Sequence, residues 1–508
     1  MTTKMKKKPQ KTVAQQFKET MESLIIAFVL AFVFRAFVVE AFVIPTGSMA
    51  DTLRGAHFNL TCQDCGYEYN FGFIPRYYKM GENTIPKQPI SPSPLVRNDN
   101  EICCPMCGAK IGNSPRHVSK GDRILVLKSA YQTQKPAIWD VVVFKNPTDP
   151  RENYIKRLIG LPNQKVEIRD GDVYIDDQIQ RKPDTIQDTL WIEAFNNDYQ
   201  LPDRQGIEGK WNQPFRQQRA ENAWEIDQNA RIFHFLGANE TQSLTFNYNR
   251  MNYICNSFNA YNGTGVTINS ICSDLKLQCI FTPTDLDSQL KITITKYGID
   301  YEAVIDPTGK CYIAGPNGKI ELTNLANGQT AKEGTFTELT VNNPTIVSFA
   351  CVDHKFDFRI GEYRFEHIGA NDPTQWGYQG NPKTPGLKLG GSGKPFTLTR
   401  IQLFRDIYYT NANISRNGHP GHGTEGNPIQ LHDDEFFVMG DNSPQSSDAR
   451  CWSAVADAHI EGKNYRIGTV PRDYLIGKAF YVYWPSGYRF SKEPFAIIPN
   501  ASDMRFIK

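Results

Sequence analysis

Hydrophobic and polar positions divide this chain into one apolar N-terminal run and a long succession of short alternating segments. From Leu24 to Ile44, a stretch of 21 residues, the only charges are Arg35 and Glu40. As a helix this stretch measures roughly 30 Å, the thickness of a bilayer's hydrocarbon core. A charge at mid-bilayer is costly, but a span that begins near Met21 moves Arg35 toward the far end, where it snorkels to the headgroups. The pattern predicts a transmembrane helix over 21–43. The competing readings are a buried core helix, which the flanking lysines disfavour, and a cleavable signal peptide, which lacks a prompt small-x-small site.

Beyond that run the periodicity is that of strands. RILVLKSA from Arg123, DVVVFKNP from Asp140, YIKRLIGLP from Tyr154 and KVEIRDGDVYIDD from Lys165 are short β-branched runs divided by Gly, Pro and Asp. The same style returns in EFFVMGDN from Glu435 and IGKAFYVYWP from Ile476. Between them lie RIFHFLG, LKITITKYGIDYEAVID, IVSFACVDHKFDFRIGEYRFEH and LTRIQLFRDIYYT, a spacing of strands and Gly/Asn turns that predicts a β-sandwich. The expected fold is mainly β: a core over 44–185 and 430–508, interrupted by a sandwich over 186–415 and by a smaller insertion over 58–115. The Gly- and His-rich tract at 416–429 reads as a loop returning to the core.

A length of 508 residues is too great for one small core. A net charge of +2 with 22% charged residues argues against a nucleic-acid partner. The charge is uneven, however: MTTKMKKKPQKT opens a basic segment, 1–20, just before the apolar run. By the positive-inside rule it stays in the cytoplasm and everything after the span lies outside the cell membrane, on the exported side.

Two residues suggest chemistry. Ser48 follows the apolar run in VIPTGSMADTL, and Lys156 lies in NYIKRLIGLP. A serine hydroxyl is a poor nucleophile until a base takes its proton. A lysine of ordinary pKa is neutral in only about 1 of 2,500 molecules at pH 7, and bringing it to about 7–8 takes roughly 4 kcal/mol of bias against the charged form. Burial among Ile155, Leu158 and Ile159 is one way to supply that bias, with Arg157 on the opposite, solvated face of the strand. Gly47 lets the backbone turn tightly before Ser48, and the Ser48 amide and Thr46 hydroxyl could form an oxyanion hole. Each motif alone is weak, since a serine after glycine is usually a turn residue and a strand lysine is usually solvated.

In IPTGSMADTL, GDRILV with DVVVFKNP, YIKRLIGLP, and GDNSPQSSDAR followed by VPRDYLIGKAFYVYWP, the chain resembles bacterial type I signal peptidases. These are membrane-anchored serine proteases that remove signal peptides from exported preproteins. The resemblance covers about 200 residues. It implies a β catalytic core, Ser48 as nucleophile, Lys156 as general base, and Thr46 with the Ser48 amide as oxyanion donors. It also implies Ser446 as the residue that orients the lysine amine and Asp448 with Arg450 as a supporting ion pair. It further implies a substrate docked as an extended strand, with Phe42, Ile44, Met49 and Ile155 as apolar walls or, on the plainer reading, as membrane contacts or core packing. No cofactor is implied for catalysis. Asp51 stands where the family usually has proline, and Ser443-Pro444-Gln445 replaces a more polar stretch.

Cys62-Gln-Asp-Cys65-Gly66 and Cys104-Pro-Met-Cys107-Gly108 are paired knuckles, the usual signature of a zinc ribbon with four thiolates around a structural metal. Two disulfides are the alternative in an oxidising compartment. Cys255, Cys272, Cys279, Cys311, Cys351 and Cys451 are too scattered to pair from sequence. The sandwich has a weaker resemblance to concanavalin-A-like jelly rolls, which suggests an unknown glycan or protein ligand, against a plain spacer. His354, His419 and His422 are isolated loop histidines, a poor basis for a metal site. The expected function is a membrane-anchored signal peptidase acting on preproteins at the bilayer. The alternatives are a self-cleaving Ser-Lys processing peptidase and a membrane-anchored binding protein whose sandwich carries the activity.

Overall fold

The computed structural model describes residues 12–81, 84–92, 102–199, 213–217, 222–227, 229–247, 261, 271–380, 383–410, 421–455, 466–486 and 500–508. Residues 1–11 with their lysines, Cys255, and residues 416–420 of the 416–429 loop, His419 among them, lie outside them. The N-terminal helix runs Val13–Phe37, and its apolar side chains Leu24, Ile25, Ile26, Phe28, Val29, Leu30, Phe32 and Val33 are exposed. The helix expected over 21–43 is corrected at its C-terminal end, since it stops at Phe37. Val39–Val43 is a strand that pairs antiparallel with Arg123–Leu127, because the β-branched and aromatic VEAFV finds a sheet edge there. No helix among the described residues is long and apolar enough to cross a membrane.

The core is an eight-stranded antiparallel sheet. In spatial order its main path is Val39–Val43, Arg123–Leu127, Leu475–Trp484, Val141–Asn146, Asp149–Gly160, Glu435–Met439 and Val470–Pro471. Segments far apart in sequence therefore interleave, which is how 430–508 completes a sheet begun before residue 160. Both faces of this sheet are covered. Ile44, Met49, Leu53, Ile124, Val126, Val143 and Val482 form one apolar cluster. Phe144, Leu158, Phe437, Val438, Met439 and Trp452 belong to another. A strand covered on both sides has no solvated face, a fact that matters for Arg157 below.

The inserted region builds two further sheets, of ten and eight strands, whose inner faces share one core. Alternation along Leu275–Pro283 and Ser288–Lys296 sends Leu277, Phe281, Leu290, Ile292 and Ile294 inward, the period-two pattern of a sandwich strand. The chain leaves the core through Asp184–Leu190, a short helix, and its return puts Ile407 and Tyr409 into the core cluster with Leu190.

A buried charge cluster joins sandwich to core. Lys182 Nζ lies 2.6 Å from Asp353 Oδ1 and 2.8 Å from Asp406 Oδ2. Lys296 pairs with Asp274, and the carboxylates of Asp172, Asp274 and Asp353 lie within 4.8 Å of one another. Two lysine ammonium groups thus compensate acids brought together from both units. Tyr297 and Tyr408 add hydroxyl donors to Asp170, at 2.6 and 3.0 Å. Removing one partner from such a cluster leaves uncompensated buried charge, which costs about 3–5 kcal/mol. Lys182→Met is expected to lower the stability of the protein by that amount in denaturant unfolding, and a loss under about 1 kcal/mol would show the joint to be incidental.

Candidate active site

Ser48 and Lys156 meet across the sheet. Ser48 sits in a turn just after the strand Val39–Val43, and Lys156 near the end of Asp149–Gly160, where the strand enters the core. Lys156 Nζ is 2.8 Å from Ser48 Oγ and 3.0 Å from the Ile155 carbonyl. Both residues are buried, with Lys156 only 4% exposed. Burial pushes the lysine down from its ordinary 10.5 to about 8, against the pull of Asp448 and then Asp441. The Tyr154 ring, 5.1 Å from Nζ, closes part of its surroundings.

The turn that carries Ser48 is gripped by the segment after Glu435–Met439. Asn442 donates its backbone N–H to the Ser48 carbonyl (3.0 Å) and its side-chain amide to the Gly47 carbonyl (2.8 Å). Asp441 accepts from Thr52 Oγ1 at 2.6 Å. Asp448 and Arg450 form a two-armed buried pair, Nε–Oδ1 2.9 Å and Nη2–Oδ2 2.8 Å. Arg450 also donates to Thr410 O and Ser443 Oγ, and Asp448 accepts from Gly440 N–H at 3.0 Å. The 440–450 loop is thereby stiffened from within while it holds the Ser48 turn.

The structure departs from three sequence expectations. Arg157 is not solvated: it is fully buried and paired with Asp441, Nε–Oδ1 2.8 Å and Nη2–Oδ2 2.7 Å, and donates to the Trp139 carbonyl. Its strand is packed on both faces, so an arginine there needs an internal counter-charge, which one sequence cannot reveal. Ser446 is buried, but the hydrogen bonds of the lysine amine go to Ser48 and Ile155 rather than to its hydroxyl. Of the four apolar walls, Ile44 and Met49 are core residues, while Phe42 and Ile155 are only partly buried at the margin of the same cluster. Thr46 is exposed, two residues ahead of Ser48.

Sequence reading also missed Tyr261, which the inserted region sends to the turn that carries Ser48. It is buried and donates its hydroxyl to the Ala56 carbonyl at 3.0 Å, and its ring lies 6.1 Å from that of His57. A Cβ at Gly47 or at Gly72 would collide with this ring, so two glycines form its slot. A lone tyrosine far along the chain gives no signal of such a role.

Away from Ser48, the Sγ atoms of Cys62, Cys65, Cys104 and Cys107 all lie within 4.8 Å of one another, a donor set able to hold a metal. His354 and His422 are directed to backbone carbonyls, Ala370 O at 3.2 Å and Trp452 O at 3.1 Å. Overpacking a filled site costs about 1–3 kcal/mol, and residues in contact couple by about 0.5–3 kcal/mol. Gly47→Ala is expected to destabilise the protein by the first amount. Combined with Tyr261→Ala it should be non-additive by the second; strict additivity in thermal unfolding would mean the ring does not press on the turn.

Residues 105–244 and 408–484 match the family model described as signal peptidase, peptidase S26. The match takes in Lys156, Asp448 and Arg450 but begins after Ser48. Over 199 residues the chain is 25% identical to a signal peptidase I of Rickettsia bellii (strain OSU 85-389), covering 39% of this chain and 51% of that protein. Signal peptidase I of Rickettsia typhi is 28% identical over 171 residues, 34% of this chain and 46% of its own length. That of Buchnera aphidicola is 28% identical over 161 residues, 31% and 34%. The chain spans about half the length, or less, of these curated relatives. Among solved structures, a carbohydrate binding module from Bacillus subtilis matches 37% of this chain and 93% of its own, at 8% identity and a TM-score of 0.22. Alginate lyase A1-II' matches 37% and 85%, at 10% identity and a TM-score of 0.24. Likeness that low carries no argument about ligands. In sequence, then, the chain is similar to signal peptidases of the peptidase S26 family.

Proposed function

We propose that this protein is a serine endopeptidase that removes signal peptides from exported preproteins through an acyl-enzyme. The observation that carries the reading is the 2.8 Å contact between Ser48 Oγ and a buried lysine amine. Neutral Lys156 takes the Ser48 proton as Oγ attacks the scissile carbonyl carbon. The oxyanion then forms beside the Ser48 amide and Thr46. Collapse breaks the C–N bond, and the leaving amine receives the proton from Lys156. Water, deprotonated by the same lysine, then hydrolyses the ester and frees Ser48.

Lowering the lysine from 10.5 to about 8 amounts to roughly 3 kcal/mol of bias against its charged form, most of what a general base at neutral pH needs. Asp448 and Asp441 temper that shift, and Arg450 and Arg157 neutralise both acids, so the amine sits beside compensated charge. The strand Val39–Val43 is bonded to Arg123–Leu127 on one side, and Tyr154–Lys156 to Val142–Phe144 on one side. Two strand edges thus lie upstream of Ser48 and Lys156 as templates for an extended substrate, with Phe42 and Ile155 as apolar contacts.

Membrane attachment on the exported side is part of the same proposal. The exposed apolar side chains from Leu24 to Val33 need an apolar medium, and lipid supplies it at the place where preproteins emerge. A geometrically intact Ser–Lys pair favours this reading over one in which only the sandwich acts.

Ser48→Ala and Lys156→Ala are each expected to reduce preprotein cleavage in detergent or lipid by at least about 100-fold. A wild-type protein inert toward several preproteins would refute the proposal. Because neutral lysine is the working form, kcat/KM should rise with pH and level off above about 8. Below that pH it should fall about tenfold per unit, and a profile flat between pH 6 and about 9 would exclude Lys156 as the base.

A further inference from the structure

The two cysteine knuckles are copies of one turn. In the first, Gly66 N–H bonds to the Cys62 carbonyl at 3.0 Å and Cys62 N–H to the Tyr67 carbonyl at 2.9 Å. In the second, Gly108 N–H bonds to the Cys104 carbonyl at 2.9 Å and Cys104 N–H to the Ala109 carbonyl at 2.8 Å. Gly66 and Gly108 adopt φ of 78° and 75°, the left-handed conformation that closes each turn without a Cβ penalty. The turns face each other, so the short sulfur contacts run across knuckles: Cys62 to Cys107 and Cys65 to Cys104, both 3.6 Å. Four thiolates at about 2.3 Å from a central ion form a tetrahedron with edges near 3.8 Å. The observed spacing approaches that edge, and four sulfurs leave no open position for substrate or water.

The cluster lies where the 57–119 segment meets the sandwich. Its second layer contains Tyr67 and Tyr199, whose rings meet edge to face at 4.9 Å. Tyr67 OH donates to Glu193 Oε2 at 3.2 Å, and the other Glu193 oxygen accepts from Asn196 and Gln402 of the sandwich at 2.8 Å each. On its other side the same segment forms the sheet Glu68–Gly72, His57–Thr61 and Val118–Ser119, which reaches the Tyr261 slot.

We propose that Cys62, Cys65, Cys104 and Cys107 bind one zinc ion, and that this ion pins the 57–119 segment to the first strand of the sandwich through Tyr67, Tyr199 and Glu193. The proposal is independent of the peptidase reading. Zinc holds the two turns in register, Tyr67 then stands where it reaches both Tyr199 and Glu193, and the sandwich is fixed beside the nucleophile turn.

The test uses the full chain in detergent, purified without chelator. Elemental analysis should find one zinc per chain, falling at least about tenfold in Cys65→Ser and Cys107→Ser. Two disulfides in unreduced protein, iron in place of zinc, or no binding after incubation of the reduced protein with zinc chloride would each overturn the site. Because the variants could fail to fold, the pinning role is read on wild-type protein stripped by a chelator. Hydrogen exchange should speed up at least about tenfold in 57–72 and 192–199 and stay unchanged in 141–146. Equal exchange with and without zinc in both regions would overturn the pinning role.

Discussion

One buried amine sets the terms for the rest of the core. Lys156 is pushed below the ordinary lysine pKa only while it is dry, and dryness at that point of the sheet requires packing on both faces. That packing in turn buries Arg157, the next residue, which cannot be made neutral and must find a carboxylate. Asp441 meets that need, and because Asp441 begins the loop whose Asn442 grips Gly47 and Ser48, the counter-ion and the grip come as one piece. Asp448 and Arg450 stiffen the same loop. Two ion pairs, each worth little as stability once desolvation is counted, are better understood as fixing geometry around the amine.

The insertions are tied to this core by different physics. The sandwich supplies its own apolar centre and meets the core through charge, Lys182 and Lys296 set among five aspartates. Burial with Asp274 beside it holds Asp172 well above the usual carboxylate range, as expected where acids outnumber nearby cations. A charged joint of this kind is specific in register, since a shift of one residue strands a charge, whereas an apolar joint could slide. Tyr261 adds a contact of the other type, a ring in a slot made by the absence of two side chains.

Much of this was legible in the sequence where the signal was local. Strand periodicity located the interleaved core and the two-sheet insertion, and the repeated Cys-x-x-Cys-Gly pattern located four sulfurs that the fold brings together. What escaped was non-local. Arg157 reads as solvated from strand parity alone, because parity says which side a residue faces and not whether that side is covered. The apolar run read as a helix to residue 43, because hydropathy does not distinguish a helix from an edge strand whose partner, Arg123–Leu127, lies about 80 residues on. Ser446 stands in the right loop, yet the lysine's hydrogen bonds go to Ser48 and Ile155, a choice of partners that sequence position alone does not determine.

The order in which the sheet is strung has a consequence for the birth of the protein. Ser48 and Lys156 are 108 residues apart, but Thr52 and Asp441 are 389 apart and Arg157 and Asp441 are 284 apart. A chain emerging from the ribosome thus presents its serine and its lysine long before the carboxylate and the amide that hold them exist. Contacts of such separation form late, after the loop-closure entropy of everything between has been met. The large insertion therefore sets an order of assembly: the Ser48 turn and Arg157 gain their partners Asn442 and Asp441 only after it has been synthesised.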